Sequence, residues 1–228
     1  MKKSICKLSI LCTIILLCLT GCSKAEANKI YYKLDSEIEY VQDLIFKIAN
    51  KIAKNEYIED DKINWNYIQN DVLNVNDSWS ILVLDLTEVN VTSENIISFS
   101  NDLNNTLIAV NQEDENLLIE KLSNMSQKLN VFKEAYSNNK NNIEKNKIKT
   151  GMLSVFSKAY AGNYTLAKDE VNKLIENYKI LMNDKSYADE NTYQLNKIYI
   201  LLEEYLASIG TENFDLIRIK YLSAVENI

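Results

Sequence analysis

Histidine and proline are absent from this 228-residue chain, and glycine occurs only at Gly21, Gly151, Gly162 and Gly210. Without histidine there is no Ser–His or Cys–His nucleophile. Histidine-containing zinc sites, histidine-ligated haem and the Glu-x-x-His di-iron bundle are excluded with it. No glycine-rich run is present to cradle a phosphate. The lack of proline and the few glycines leave too little turn punctuation for a β-rich or α/β body, and they fit long uninterrupted helices. All four cysteines, Cys6, Cys12, Cys18 and Cys22, fall within the first 22 residues.

That N-terminal segment has the order of an export signal. Lys2 and Lys3 form a basic start, Ile5 to Leu19 an apolar stretch interrupted by Lys7, Ser9 and Thr13, and small residues then precede Cys22. With Leu19-Thr20-Gly21-Cys22 at its end, the segment resembles the type II signal peptides of bacterial lipoproteins. The resemblance implies that residues 1–21 are cleaved and that Cys22 becomes the acylated first residue, holding the protein on the outer face of the cytoplasmic membrane. Two acyl chains anchor stably where one is marginal. No later apolar run approaches the ~20 residues that span a bilayer.

Cleavage would remove every other cysteine, so stability would rest on packing without a disulfide inside the monomer. It would also remove Lys2, Lys3 and Lys7, leaving the body more negative than the −7 of the whole chain. An acidic body is unsuited to nucleic acid, which needs a basic footprint. Abundant Asn, Ile, Lys and Tyr suggest an AT-rich genome, as in low-GC Gram-positive bacteria.

Apolar residues recur at spacings of three and four, the signature of amphipathic helices. One stripe is Ile38, Val41, Ile45, Ile48 and Ile52, with Ser36 and Glu39 placed as a capping box at its start. The next are Trp65, Ile68, Val72, Val75, Trp79 and Leu82, then Ile96, Phe99, Leu103, Leu107 and Val110, then Leu118, Leu122, Met125, Leu129, Phe132 and Tyr136.

Residues 64–124 align without a gap on 163–223, keeping Asn64/Asn163, Ile81/Ile180, Asp85/Asp184, Glu113/Glu212, Leu117/Leu216 and Lys121/Lys220 identical. Three successive stripes and their connections keep register together, the mark of units that stack on a shared core. The expected fold is therefore all-α, stacked helical hairpins of about seven to eight helices in two similar units. The expected boundaries are a lipidated tether at 22–35, a first unit at 36–137, an Asn/Lys-rich linker at 138–149 and a second unit at 150–228. Ala159, Gly162, Tyr164 and Ala167 resemble the small-residue and aromatic pattern of tetratricopeptide hairpins, which implies a similar helix–turn–helix packing. The whole is similar to all-helical lipoproteins of low-GC Gram-positive bacteria, a resemblance that supplies no active site.

Candidate chemistry is sparse. Glu59-Asp60-Asp61 and Glu113-Asp114-Glu115 could offer oxygen ligands to a cation, but neither has the alternating spacing and glycine of a calcium loop. Acids at a helix N-terminus complement its dipole, the simpler reading. No metal or cofactor is expected. Trp65 and Trp79 share a helix face, and Tyr164 and Tyr178 repeat the arrangement; they are candidate groove aromatics, though they continue an aliphatic core stripe.

The expected function is a membrane-anchored, non-enzymatic helical interaction or scaffold module, bound to lipid through Cys22 and to a protein partner. Two alternatives are a ligand-binding lipoprotein serving a transporter and a carboxylate-based wall hydrolase. Common solute-binding lipoproteins alternate strands with helices, which this chain does not, and no acid pair stands out for hydrolysis.

Overall fold

The computed structural model describes residues 29–137, 140–183 and 185–228. Cys22 and the signal-like segment lie outside these. Among the described residues the chain forms eight helices and one two-stranded hairpin: α1 (residues 29–53), β1 (Ile58–Glu59), β2 (Lys62–Ile63), α2 (Trp65–Leu86), α3 (Ser93–Gln112), α4 (Glu115–Tyr136), α5 (Lys140–Tyr160), α6 (Tyr164–Met182), α7 (Lys185–Ile209) and α8 (Phe214–Val225). The protein is an all-α bundle in which consecutive helices pack on one another from α2 to α8, with α8 also returning to α5.

One hydrophobic core runs from Leu34 to Val225. α1 sits deep within the bundle, with Leu34, Ile38, Ile45, Ile48 and Ala49 fully buried. Its polar contacts fix its neighbours. Lys51 and Lys33 bind Asp71 and Asp85 of α2, while Glu39 and Asp35 bind Lys133 and Tyr136 of α4. Both pairings run in opposite chain directions, so α1 is antiparallel to α2 and α4. Tyr221 of α8 donates to Asn50 Oδ1, closing the C-terminal helix onto α1.

The repeated unit is larger than the sequence alignment indicates. Helices α2 and α6 both start one residue after an N-cap asparagine, Asn64 and Asn163. Ahead of α4 and α8, Glu113 and Glu212 take left-handed φ values of 57° and 53°, and Asp114 and Asn213 cap the helices that follow. Each unit also begins with a further helix. Val41, Ile45, Phe46, Ile48, Ala49 and Ile52 of α1 have the same buried spacing as Ile148, Met152, Leu153, Val155, Phe156 and Ala159 of α5. The connection after α1 is the longer one, so a single ungapped alignment loses this correspondence.

Three expectations are corrected. The tether expected to reach residue 35 is helical from residue 29, because Leu34 is buried and Lys33 bridges to α2. Ser36 and Glu39 therefore lie inside α1, and Glu39 faces Lys133 instead of capping. The linker expected at 138–149 is helical from Lys140, with Ile143 and Ile148 buried; Asn138 and Asn139 lie outside the described residues. Two buried isoleucines outweigh the modest helix propensity of the asparagines around them.

Candidate interaction groove

The four candidate aromatics do not share one groove. Trp79 is buried, stacked on Phe99 at 4.1 Å and on Phe132 at 5.9 Å, with its indole N–H donating to Ser100 Oγ at 3.1 Å. Tyr178 is wholly buried and its hydroxyl donates to the Leu195 carbonyl at 2.9 Å. Both are core residues, as their place in an aliphatic stripe requires. Tyr164 is half-buried and packs against the core at the start of α6. Trp65, at the start of α2, opens onto concave surface.

That surface is an open groove of about 910 Å³ where α2 begins, α3 ends, α4 begins and α5 ends. Trp65 and Tyr160 supply aromatic walls, Ile63 an apolar edge, and Asp61, Glu113, Asp114 and Glu115 carboxylates; Lys62 is the one cation lining it. A second depression of about 540 Å³ continues from it past Glu59 and Asp60, sharing Lys62, Ile63, Trp65 and Glu113. The two acidic runs, distant in sequence, thus meet at one end of the bundle.

Local chemistry places each acid. Asp60 and Asp61 form the turn of the β1–β2 hairpin, with φ values of 49° and 60°. Positive φ at both central residues is what mirror-image hairpin turns need, and aspartate tolerates it. This corrects the helix-end reading of Glu59-Asp60-Asp61. Asn64 instead caps α2, accepting from the Tyr67 N–H and donating to Glu59 Oε2 at 2.7 Å. Glu113 ends α3, its N–H reaching the carbonyls of Ala109 and Val110. Asp114 caps α4 through the Leu117 N–H, as expected of acids at a helix start. Glu115 Oε2 accepts from the Tyr160 hydroxyl at 2.7 Å. Burial, and then this bond, push the Tyr160 pKa well up, so it stays a neutral donor.

The groove is built from the first unit together with Tyr160 of α5, and its acidic lining is not repeated in the second unit. In the second unit the position of Glu115 is held by Phe214, which packs against Tyr160 and Phe156 at 5.2 and 5.8 Å. The position of Asp114 is held by neutral Asn213, and the hairpin has no counterpart. Neither the role of Tyr160 nor the hairpin stands out in the sequence. The signal for the hairpin was Asp60-Asp61 between two short polar–apolar pairs; Tyr160 was marked only by its place beside Gly162.

Among the described residues no group of three or more Asp, Glu, His or Cys side chains is arranged to hold a metal ion. A smaller cleft of about 300 Å³ between α4, α5 and α6 has its charges internally paired, Lys147 with Glu134 and Glu170 with Lys158. The class defined is a two-unit helical bundle with an open, acidic, aromatic-walled groove at one end. Comparison with protein-family models, with curated proteins and with solved structures finds no match for this chain.

Proposed function

We propose that this protein is a lipid-anchored, extracytoplasmic interaction module whose groove receives a basic, partly apolar segment of another protein. The observation that carries the reading is the groove itself. Its two aromatic walls can cover apolar or cationic side chains, and the carboxylates at its rim complement positive charge. The turns and caps that hold those carboxylates limit the ordering cost of binding. The anchor rests on the Leu19-Thr20-Gly21-Cys22 pattern. It is compatible with the finding that no helix among the described residues is long and apolar enough to cross a membrane.

The test is crosslinking in intact producing cells, followed by membrane purification and mass spectrometry, run on the wild type and on an Asp61→Lys/Glu113→Lys variant. One stoichiometric protein neighbour, lost in the variant, supports the reading. A neighbour retained in the variant places the contact elsewhere, and the absence of any neighbour argues against the module. In parallel, Cys22→Ala should release the protein from membranes or leave an unprocessed precursor; unchanged fractionation would refute the anchor.

A further inference from the structure

We infer that the bundle end carrying the start of α1 rests in the lipid headgroup layer, so that the acidic groove faces away from the membrane. This rests on the lipid-anchored reading and adds an orientation to it.

The bundle has two chemically different ends. Because α1 is antiparallel to α2 and α4, the start of α1 lies beside the ends of those helices, near Asp85 and Tyr136. The other end of α1 lies beside the start of α2, where Trp65 and the groove are. The 25 residues from 29 to 53 separate the two ends by about 37 Å at 1.5 Å per residue.

At the first end, Tyr32 and Leu84 are 78% and 68% exposed. Tyr31, also exposed, stacks on Tyr136 at 5.6 Å. The nearby carboxylates are engaged: Asp35 accepts from the Tyr136 hydroxyl, and Lys33 meets both Glu37 and Asp85. Lys29 is exposed at the helix start, and Glu88 just beyond α2 and Glu94 in the first turn of α3 are the exposed acids nearby, fewer than at the other end. Amphipathic tyrosine rings favour the headgroup zone, where the ring is partly desolvated and the hydroxyl stays wet. The opposite end carries Asp60, Asp61, Glu113, Asp114 and Glu115, which an anionic leaflet repels.

Chain length decides between the two ends. The seven residues from Cys22 to Lys29 span at most about 25 Å when fully extended. They cannot cover the 37 Å to the groove end while the bundle stands upright, but they hold the Tyr32 end at the surface. Once the acyl chains are inserted, that contact is intramolecular, so a weak interfacial preference is enough to populate it.

The experiment uses the acylated protein purified from producing membranes and reconstituted into phosphatidylglycerol–phosphatidylcholine vesicles. A thiol-reactive environment-sensitive fluorophore is placed on Tyr32→Cys, Leu84→Cys and, as a far-end control on the same helix as Leu84, Tyr67→Cys. All three positions are exposed, so the fold is retained. Labels at 32 and 84 should shift to shorter wavelength and be quenched by headgroup-level spin-labelled lipid, several-fold more than the label at 67. Equal, water-like emission at all three positions overturns the orientation. Self-quenching between labelled copies without any effect of spin-labelled lipid also overturns it, because a second copy then covers this end. Wild-type protein separates the two failures. Its sole mature cysteine would be acylated and take no label, so labelling of the wild type overturns the anchor reading and the orientation with it.

Discussion

Lys158 of α5 lies 2.5 Å from Glu170 of α6, in the position that Lys51 of α1 and Asp71 of α2 hold in the first unit at 2.8 Å. The correspondence extends one turn back. Ser154 donates to Glu170 where Lys47 meets Asp71. The same bridge joins the first two helices of each unit although the connections between them differ in length. This ties α5 to α1 as equivalent elements.

The first-unit bridge should contribute more to stability than the second. Asp71 accepts from Lys51, from Lys47 and from the Tyr57 hydroxyl at 2.7 Å. Burial alone would raise the Asp71 pKa, but the bonds from Lys51, Tyr57 and Lys47 outweigh it and hold the carboxyl below its usual range. A lowered native pKa gives stability that is present above ~4 and lost as pH falls below it. Asp71→Ala should cost about 1–3 kcal/mol near neutral pH, toward the lower end because the lysines are partly solvated. Glu170→Ala should cost less. Urea unfolding of both variants at neutral and acid pH checks this, and the Asp71→Ala deficit should shrink in acid.

The aromatic pair Trp79 and Tyr178 separates core from groove by experiment. Truncating either to alanine should cost about 3–5 kcal/mol. Tyr178→Phe should lose about 1 kcal/mol, that of one buried hydrogen bond to the Leu195 carbonyl. Trp65→Ala should cost markedly less than Trp79→Ala, since Trp65 is only partly buried. Comparable losses at positions 65 and 79 would contradict the placement of Trp65 at the groove.

Residues such as these show what the sequence made legible. Helix type and phase were readable because each buried stripe repeats at three and four: Ile68, Val72, Val75 and Trp79 needed no tertiary information to be grouped. The linker reading failed at Lys140–Lys149, where the pattern is thin: Ile143 and Ile148 are the only apolar anchors among asparagines and lysines. Their burial depends on neighbouring helices that a local pattern does not contain. The groove was hidden for a related reason. Asp61, Glu113 and Tyr160 converge only through helix reversals, and each taken alone reads as a turn, a cap or a helix end.

Gly162 offers a clean test of one such reversal. It ends α5 with φ of 75°, and its missing side chain leaves open space rather than a tight contact. Gly162→Ala should therefore cost about 1 kcal/mol through backbone strain alone, while Gly162→Asn should cost less because asparagine tolerates that conformation. Thermal unfolding of the two variants checks the order. A loss at alanine several times larger would mean that packing at the α5–α6 turn, and not φ, requires glycine.

Glu37 of α1 and Asp85 of α2 form a carboxyl pair beside Lys33, and their pKa values are driven apart. Burial, and then the hydrogen bond to Asp85, raise Glu37 above its ordinary value. Burial would raise Asp85 too, but the bonds from Lys33 and Glu37 outweigh it and lower Asp85. The two carboxyls therefore titrate as a linked pair, and each step belongs to both residues. For Glu37 the native state binds its proton more tightly than the unfolded chain. That contribution is complete in acid and is lost as pH rises from ~4.3 through the raised native value. Glu37→Gln fixes a permanent donor toward Asp85 and removes this loss. Urea unfolding across pH should show the variant gaining on the wild type from acid toward neutral pH, with the gap levelling once Glu37 has ionised. Parallel curves over that interval would mean that Glu37 is not held in its protonated form by its neighbours, and that Lys33 alone holds the start of α1 to the end of α2.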